Sequence, residues 1–469
     1  MFHSTGGDEA VSYQLDLGTP IDGQAVGTSA HAGLASFLRF VQRAGVESVL
    51  HQAVRLPVQE RRTGFTQAQK SLALLAALAA VARSARDSDF TLAADPVAVR
   101  VLGLPRWPHS SQLTRHLKAF RPQHVHALRR AVEDLTASQA TTRRRLRRGE
   151  RVVVDLDQTA ISANGRTYER TARGHFPKKG ARGYQATAVF AGDTGGGDDE
   201  VLAIFLDPGN AHATWRFADA LAALERVLGP LDRLPGLILR FDCQYATADD
   251  LALLLRRRIR FVGRVYADAT AAGWALEHRT ALHWEELSPV KWVADLGEGP
   301  IAPRHPELVC RRLLVRSTGA RHRCGYTAIL TYLAPAELPT ADLEPFYEAR
   351  QTIEGWLSEA TDALQLKGLW SRSFAGLEAF LLHAALASNL LNWWERRDLR
   401  PASDLPHLGL RQLIGRVIRL PARIVQTATD HLVLLLPPTH CYARRLVPPG
   451  RSWQLPLPFD HFVLCDAHF

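Results

Sequence analysis

Three acidic residues stand where a carboxylate is expensive. Residues 152–159 read Val-Val-Val-Asp-Leu-Asp-Gln-Thr, a β-branched run that predicts a strand with Asp155 and Asp157 at its end. Residues 237–242 read Leu-Ile-Leu-Arg-Phe-Asp, a second apolar strand ending in Asp242, and Glu354 lies in a helical stretch beginning near Glu344. Stripping water from a carboxylate is costly, so acidic groups on apolar strands call for a partner. Taken singly, a strand-end aspartate is more often a cap or turn residue. Two of them faced by a helical glutamate would offer oxygen ligands to hard cations. Paired Mg²⁺ ions ~3.5–4 Å apart, with Mn²⁺ as a substitute, would activate an attacking oxygen and stabilise the leaving oxygen at a phosphodiester.

The elements around these residues support that grouping. Strands are expected at 152–159, 184–191, 201–206, 237–242 and 260–265, with helices at 214–228 and 247–258. Three strands followed by alternating helix and strand is an order typical of the ribonuclease H-like fold. One helix is expected over 342–366, on which Tyr347, Arg350 and Glu354 stand at i, i+3 and i+7. At ~100° per residue they would fall within a ~60° arc. An aromatic, a guanidinium and a carboxylate on one face suit a metal site beside a phosphate, with Arg giving bidentate contact and Tyr donating or stacking. The bland alternative is a surface ion pair worth at most ~0.5 kcal/mol.

The chain has 469 residues, 46% apolar and 22% charged, with 57 Lys and Arg against 47 Asp and Glu, a net charge of +10. That composition is globular, and the basic excess favours an anionic partner such as nucleic acid. Five scattered cysteines without a CxxC pair fit a reducing compartment. No signal peptide is visible and the longest apolar runs, 72–82 and 380–391, fall short of a ~20-residue membrane span, so a cytoplasmic, nucleoid-associated protein is expected.

Residues 1–150 read as helical. A helix starts near Thr66 and Gln69, and another near 110, where Ser110 or Ser111 would cap it and Arg115 and Lys118 would lie outside, suited to a DNA groove. Arg143, Arg144 and Arg145 open a run of five arginines in six positions, which repel one another unless an anion neutralises them. Lys178, Lys179 and Arg182 lie in a Gly-containing loop before the second strand, open to DNA or simply solvated. Residues 266–340 are expected to be β-rich, with Trp274, Trp284 and Trp292 among or before strands at 291–296, 308–316 and 326–333. The chain thus divides into a helical N-terminal DNA-binding domain (1–150), a catalytic core (151–265), a β-rich insertion (266–340), the last core helices (341–400) and a C-terminal helix and strand segment (401–469). The fold class is α/β.

Strand–Asp-x-Thr, strand–Arg-Phe-Asp-Cys-x-Tyr and Tyr-x₂-Arg-x₃-Glu together resemble the DDE transposases of bacterial insertion sequences, in the subgroup whose β-rich domain interrupts a ribonuclease H-like core. The Asp87–Pro96 segment followed by Leu-Gly and Ser-Ser-x-x-Thr-Arg, and the Leu-Ala-x-Asn-Leu-Leu stretch of 374–394, match the same subgroup over roughly residues 30 to 440. The resemblance implies a triad of Asp157, Asp242 and Glu354; Asp157 is preferred to Asp155 because the family's first Asp sits two before a Thr, here Thr159. It implies two Mg²⁺ ions, double-stranded DNA bearing terminal inverted repeats and target DNA as partners, and a homodimeric synaptic complex. It also implies an aromatic on the β insertion that stacks on a flipped base, Trp292 or Trp284 here, against the alternative of a core Trp. Glu354 follows Asp242 by 112 positions, too long a gap for a loop and suited to an inserted domain. One departure is clear: the family's Lys seven residues after the Glu is Thr361 here, and Lys367 falls on the far side of a straight helix.

Three rivals compete. A haloacid-dehalogenase-like phosphatase would use Asp155 as nucleophile and Asp157 as general acid, but leaves the Tyr/Arg/Glu helix without a role. A catalytically inactive DNA-binding relative is favoured only by the missing Lys. A zinc site from His305, Cys310, His322 and Cys324 matches no common spacing.

Overall fold

The computed structural model describes residues 13–18, 27–57, 64–165, 167–192, 199–265, 268–302, 304–318, 324–400, 406–426, 432–437 and 440–446. The chain forms two compact units, Arg129–Ser358 in one and Met1–Leu128 with Glu359–Phe469 in the other.

The Arg129–Ser358 unit is a mixed α/β structure on a ten-stranded sheet. Its strands are β1 (Val152–Ser162), β2 (Arg182–Ala191), β3 (Glu200–Pro208), β4 (Leu237–Phe241) and β5 (Phe261–Arg264), followed by β6 (Glu285–Ser288), β7 (Lys291–Pro300), β8 (Val309–Thr318) and β9 (Cys324–Thr331). A two-residue strand, Ala172–Arg173, pairs with β2 at the edge. β1 is antiparallel to β2 and β2 to β3, whereas β1, β4 and β5 run parallel. Parallel strands need crossovers, supplied by helices α1 (Phe217–Leu228) and α2 (Ala248–Arg256). These are the strands and helices read from the sequence, except that β1 runs on to Ser162, which puts Asp155 and Asp157 in its middle and not at its end. β9 pairs with β5, so the β-rich stretch continues the same sheet through β8 and β7 to β6. A helix not expected from the sequence, α3 (Asp268–Glu277), precedes it.

Alternation along the strands assigns the two faces of the sheet. Val152, Val154 and Leu156 of β1, with Leu237, Leu239 and Phe241 of β4, pack in one apolar cluster with Leu224, Val227 and Leu254 of α1 and α2. Ile238 and Val262 face the other way, into a cluster with Leu343 and Tyr347 of α4 (Thr340–Glu348). Asp155 and Asp157, out of phase with Val154 and Leu156, belong to this second face.

The expected single helix over 342–366 is two helices. α4 ends at Glu348, Ala349 and Arg350 form a turn, and α5 runs Gln351–Ala363. The Arg350 N–H bonds to the Tyr347 carbonyl and the Ile353 N–H to the Arg350 carbonyl, each spanning three residues instead of four. The common face expected for Tyr347, Arg350 and Glu354 therefore does not exist as drawn.

In the other unit, Phe374–Trp394 is a buried helix among Ala32–Arg43, Gln67–Ala79 and Ser110–Ala119. With the turn that follows, it is the one helix among the described residues long and apolar enough to cross a membrane, and 89% of its apolar window is buried inside the fold. Thr66 and Gln69 form the expected capping box. At Ser110–Ala119 the cap is His109 and not Ser110 or Ser111: His109 Nδ1 accepts from the Ser111 N–H at 3.2 Å, while the Ser110 N–H donates to Asp89. The N-terminal block is not wholly helical either. Tyr13–Gly18 and Gly27–Ser29 join Ala422–Gln426 and Leu432–Leu436 in a four-stranded antiparallel sheet, a pairing across almost the whole chain that local patterning does not reveal.

Candidate active site

The parallel pairing of β1 and β4 sets Asp155 opposite Arg240 and Leu156 opposite Phe241. One step further along the same register brings Asp157 beside Asp242. With a period of two, Asp155, Asp157, Arg240 and Asp242 share one face and form two successive rungs. The antiparallel neighbour β2 puts Phe190 next to Asp155 and the small Ala188 next to Asp157, which leaves the second rung roomier.

The first rung is closed. Arg240 Nε and Nη2 donate to the two Asp155 carboxylate oxygens at 2.6 and 2.8 Å, and both side chains are buried. Burial pushes the Asp155 carboxyl up, and the Arg240 guanidinium opposes that shift. With both oxygens engaged and no exposed surface, Asp155 cannot approach a substrate as a nucleophile.

The second rung is open. The Asp157 carboxyl is raised to about 6, chiefly by burial and further by Asp242 and Glu354, against the pull of Arg350 and a bond from the Gln158 N–H. Burial likewise raises Asp242, whose Oδ1 accepts from the Gln244 N–H at 2.9 Å and so caps a short 3₁₀ turn, Cys243–Tyr245. Arg350 reaches in from the α4–α5 turn. Its Nη1 lies 3.3 Å from Asp157 and its Nη2 donates to Glu354 at 2.6 Å. The Glu354 side chain is 53% exposed, in the first turn of α5. The Trp356 ring, two residues on, stacks on Phe190 at 5.2 Å, which seats α5 over the sheet. Gly192 permits this approach: a Cβ there would meet the Phe190 ring at 2.4 Å and Thr352 Cγ2 at 2.8 Å.

Asp157, Asp242, Arg350 and Glu354 are thus gathered, whereas the other expected contacts are dispersed. Tyr347 is buried, with Arg264 4.5 Å above its ring, so its face is not open for stacking. Trp292 is half-buried and pairs across the strands with Arg316, whose guanidinium lies 4.5 Å from its ring and 4.8 Å from that of Trp284. Arg115 and Lys118 are exposed, as are Lys178, Lys179, Arg182 and Arg144; Arg143 is half-buried, and Arg145 pairs with Glu150. α5 ends before Lys367. Of the zinc candidates, His322 lies outside the described residues, Cys310 is a buried free thiol, and His305 faces Asp249. Arg240 had no role in the sequence reading, although an Arg two before Asp242 in an otherwise apolar strand was its signal.

Among the described residues, no group of three or more His, Cys, Asp or Glu side chains already forms a cage for a metal ion. The donor chemistry nevertheless fits one. The carboxylates of Asp157 and Glu354 flank a single guanidinium, with Asp242 beside Asp157, and burial makes the ionised forms of the two aspartates costly. That excess of hard oxygen donors and negative charge suits a divalent cation.

The chain matches the transposase DDE domain group 1 model over residues 15–448. It belongs to that transposase family. No curated protein matches it. A solved piggyBac transposase synaptic complex with hairpin DNA aligns over 86% of this chain and 81% of that one at 11% identity, with a TM-score of 0.40, too low to establish a shared fold. Membership makes the chain a transposase by family.

Proposed function

We propose that the chain catalyses cut-and-paste transposition of a bacterial insertion sequence, with Asp157, Asp242 and Glu354 as the catalytic carboxylates of a ribonuclease H-like core. The observation that carries this is the pair of aspartates, Asp157 within β1 and Asp242 just past the end of β4, side by side and faced by Arg350 and Glu354. The strand order, with β1 between antiparallel β2 and parallel β4, supports the ribonuclease H-like reading. Asp157, Asp242 and Glu354 would hold two Mg²⁺ or Mn²⁺ ions, with the exposed Glu354 turning in from Arg350. Bound there, such ions lower the pKa of an attacking water and neutralise charge on the leaving oxygen.

The chain's own residues then position the DNA. The Asp155–Arg240 pair fixes the spacing of β1 and β4 beneath the site. Arg350, released from Glu354, offers two parallel N–H donors to the phosphate under attack. Hydrolysis frees a 3′-hydroxyl at the element end, which attacks the opposite strand to form a hairpin and later the target DNA, with no covalent protein intermediate. Arg115, Lys118, Arg143, Arg144, Lys178, Lys179 and Arg182 supply backbone contacts to the terminal repeats and target, in a homodimeric synaptic complex acting in the cytoplasm at the nucleoid. Trp292 stacks on an extruded base only if Arg316 gives way. Purified protein incubated with its flanking DNA ends and Mg²⁺ should cut those ends, and Asp242→Asn should not. No cleavage by the wild type would favour an inactive DNA-binding relative.

A further inference from the structure

The break between α4 and α5 has its cause on the neighbouring strand. Arg240 spends two donors on Asp155, then turns the others to the helix end: Nη1 donates to the Phe346 carbonyl and Nη2 to the Ala349 carbonyl at 3.0 Å. In an uninterrupted α-helix the Phe346 carbonyl would accept from the Arg350 N–H and the Ala349 carbonyl from the Ile353 N–H. Both amides instead fall back on carbonyls three residues away. The Phe346 ring also lies 5.4 Å from the guanidinium. A straight helix would carry Arg350 round with Tyr347, which is buried against the sheet; the break lets Tyr347 stay there while Arg350 reaches Asp157 with Glu354 on its other side.

We propose that Arg240, oriented by Asp155, is a positioning residue that captures the terminal carbonyls of α4 and thereby sets Arg350 and Glu354 beside Asp157 and Asp242. This rests on the reading of the open rung as a metal site. A buried ion pair alone rarely needs to be ionic, since well-packed apolar residues of similar volume serve as well. What an apolar pair cannot supply is two donors aimed at helix-terminal carbonyls, and Lys lacks the planar fork that serves carboxylate and carbonyls at once.

The test compares four full-length chains: wild type, Glu354→Gln, the double variant Asp155→Leu/Arg240→Met, and the triple variant. The double change removes both charges together, so no buried charge is left without its partner. Two quantities are read, Mg²⁺ affinity by titration calorimetry and amide hydrogen exchange across residues 346–356 in metal-free protein. The expected result is a folded double variant whose 346–356 amides exchange at least tenfold faster, whose Mg²⁺ affinity falls at least tenfold, and in which Glu354→Gln costs nothing more. Unchanged exchange at the junction, or a Glu354→Gln penalty as large in the double variant as in the wild type, would overturn the proposal. If the junction loosens as expected but Glu354→Gln leaves wild-type Mg²⁺ affinity untouched, the positioning role stands and the metal-site reading falls.

Discussion

Two rungs of the same strand pair, one residue pair apart, do opposite things. Asp155 faces Arg240, both buried, with every carboxylate oxygen engaged. Asp157 stands beside Asp242, like charge beside like charge, with Arg350 reaching in from a turn. The backbone geometry is the same for both, so the side chain contributed by β4 decides the outcome. An arginine closes the rung into structure; an aspartate two residues later leaves it short of cations. Burial raises the aspartates of both rungs, but only in the first does a bidentate partner on the adjacent strand offset the cost.

That contrast can be broken in several ways. The largest effect is expected from Asp242→Asn, which removes one wall of the open rung: DNA-end cleavage should fall on the order of 10³-fold or more while the melting temperature holds or rises. Asp155→Asn should do the reverse. It strands a buried guanidinium, and chemical denaturation should show a loss of about 3–5 kcal/mol, with metal-dependent activity of the folded fraction falling less than for Asp242→Asn but below wild type, because Arg240 loses the partner that orients it. Arg350→Ala should cut cleavage about 10²-fold yet tighten Mg²⁺ binding in calorimetry, because it removes the cation that now stands between Asp157 and Glu354.

The smallest effect concerns pH. The folded carboxyl of Asp157, at about 6, lies above its unfolded value, so the folded chain holds that proton more tightly. Its stabilising contribution is full below the unfolded pKa and is lost as pH rises through about 6. In metal-free protein Asp157→Asn should therefore match the wild type near pH 4 and exceed it above pH 7 by on the order of 2–3 kcal/mol. A stability gap independent of pH would show that Asp157 is not held in a costly charged state.

Much of this was legible in the sequence because its signals are local. Val-Val-Val-Asp-Leu-Asp and Leu-Ile-Leu-Arg-Phe-Asp announce strands by β-branching, and their order with the amphipathic helices gives the strand order around the site. Asp157, Asp242 and Glu354 were readable as candidates from type and position alone. What was not legible depends on contacts between distant residues. The helix over 342–366 breaks because Arg240, more than a hundred positions earlier, takes the carbonyls of Phe346 and Ala349, and no periodicity within the helix carries that information. That Arg240 closes off Asp155 and not Asp157 likewise depends on which β4 residue falls opposite each, a matter of register. Tyr13–Gly18 finds its partner in Leu432–Leu436, beyond the reach of any local pattern.

The most direct test is anomalous diffraction from crystals of the full chain soaked in Mn²⁺. Peaks bounded by the carboxylates of Asp157, Asp242 and Glu354, with Arg350 swung aside and no peak at Asp155, are the predicted result. Manganese bound elsewhere, with those three side chains still gathered on Arg350 at saturating metal, would contradict it.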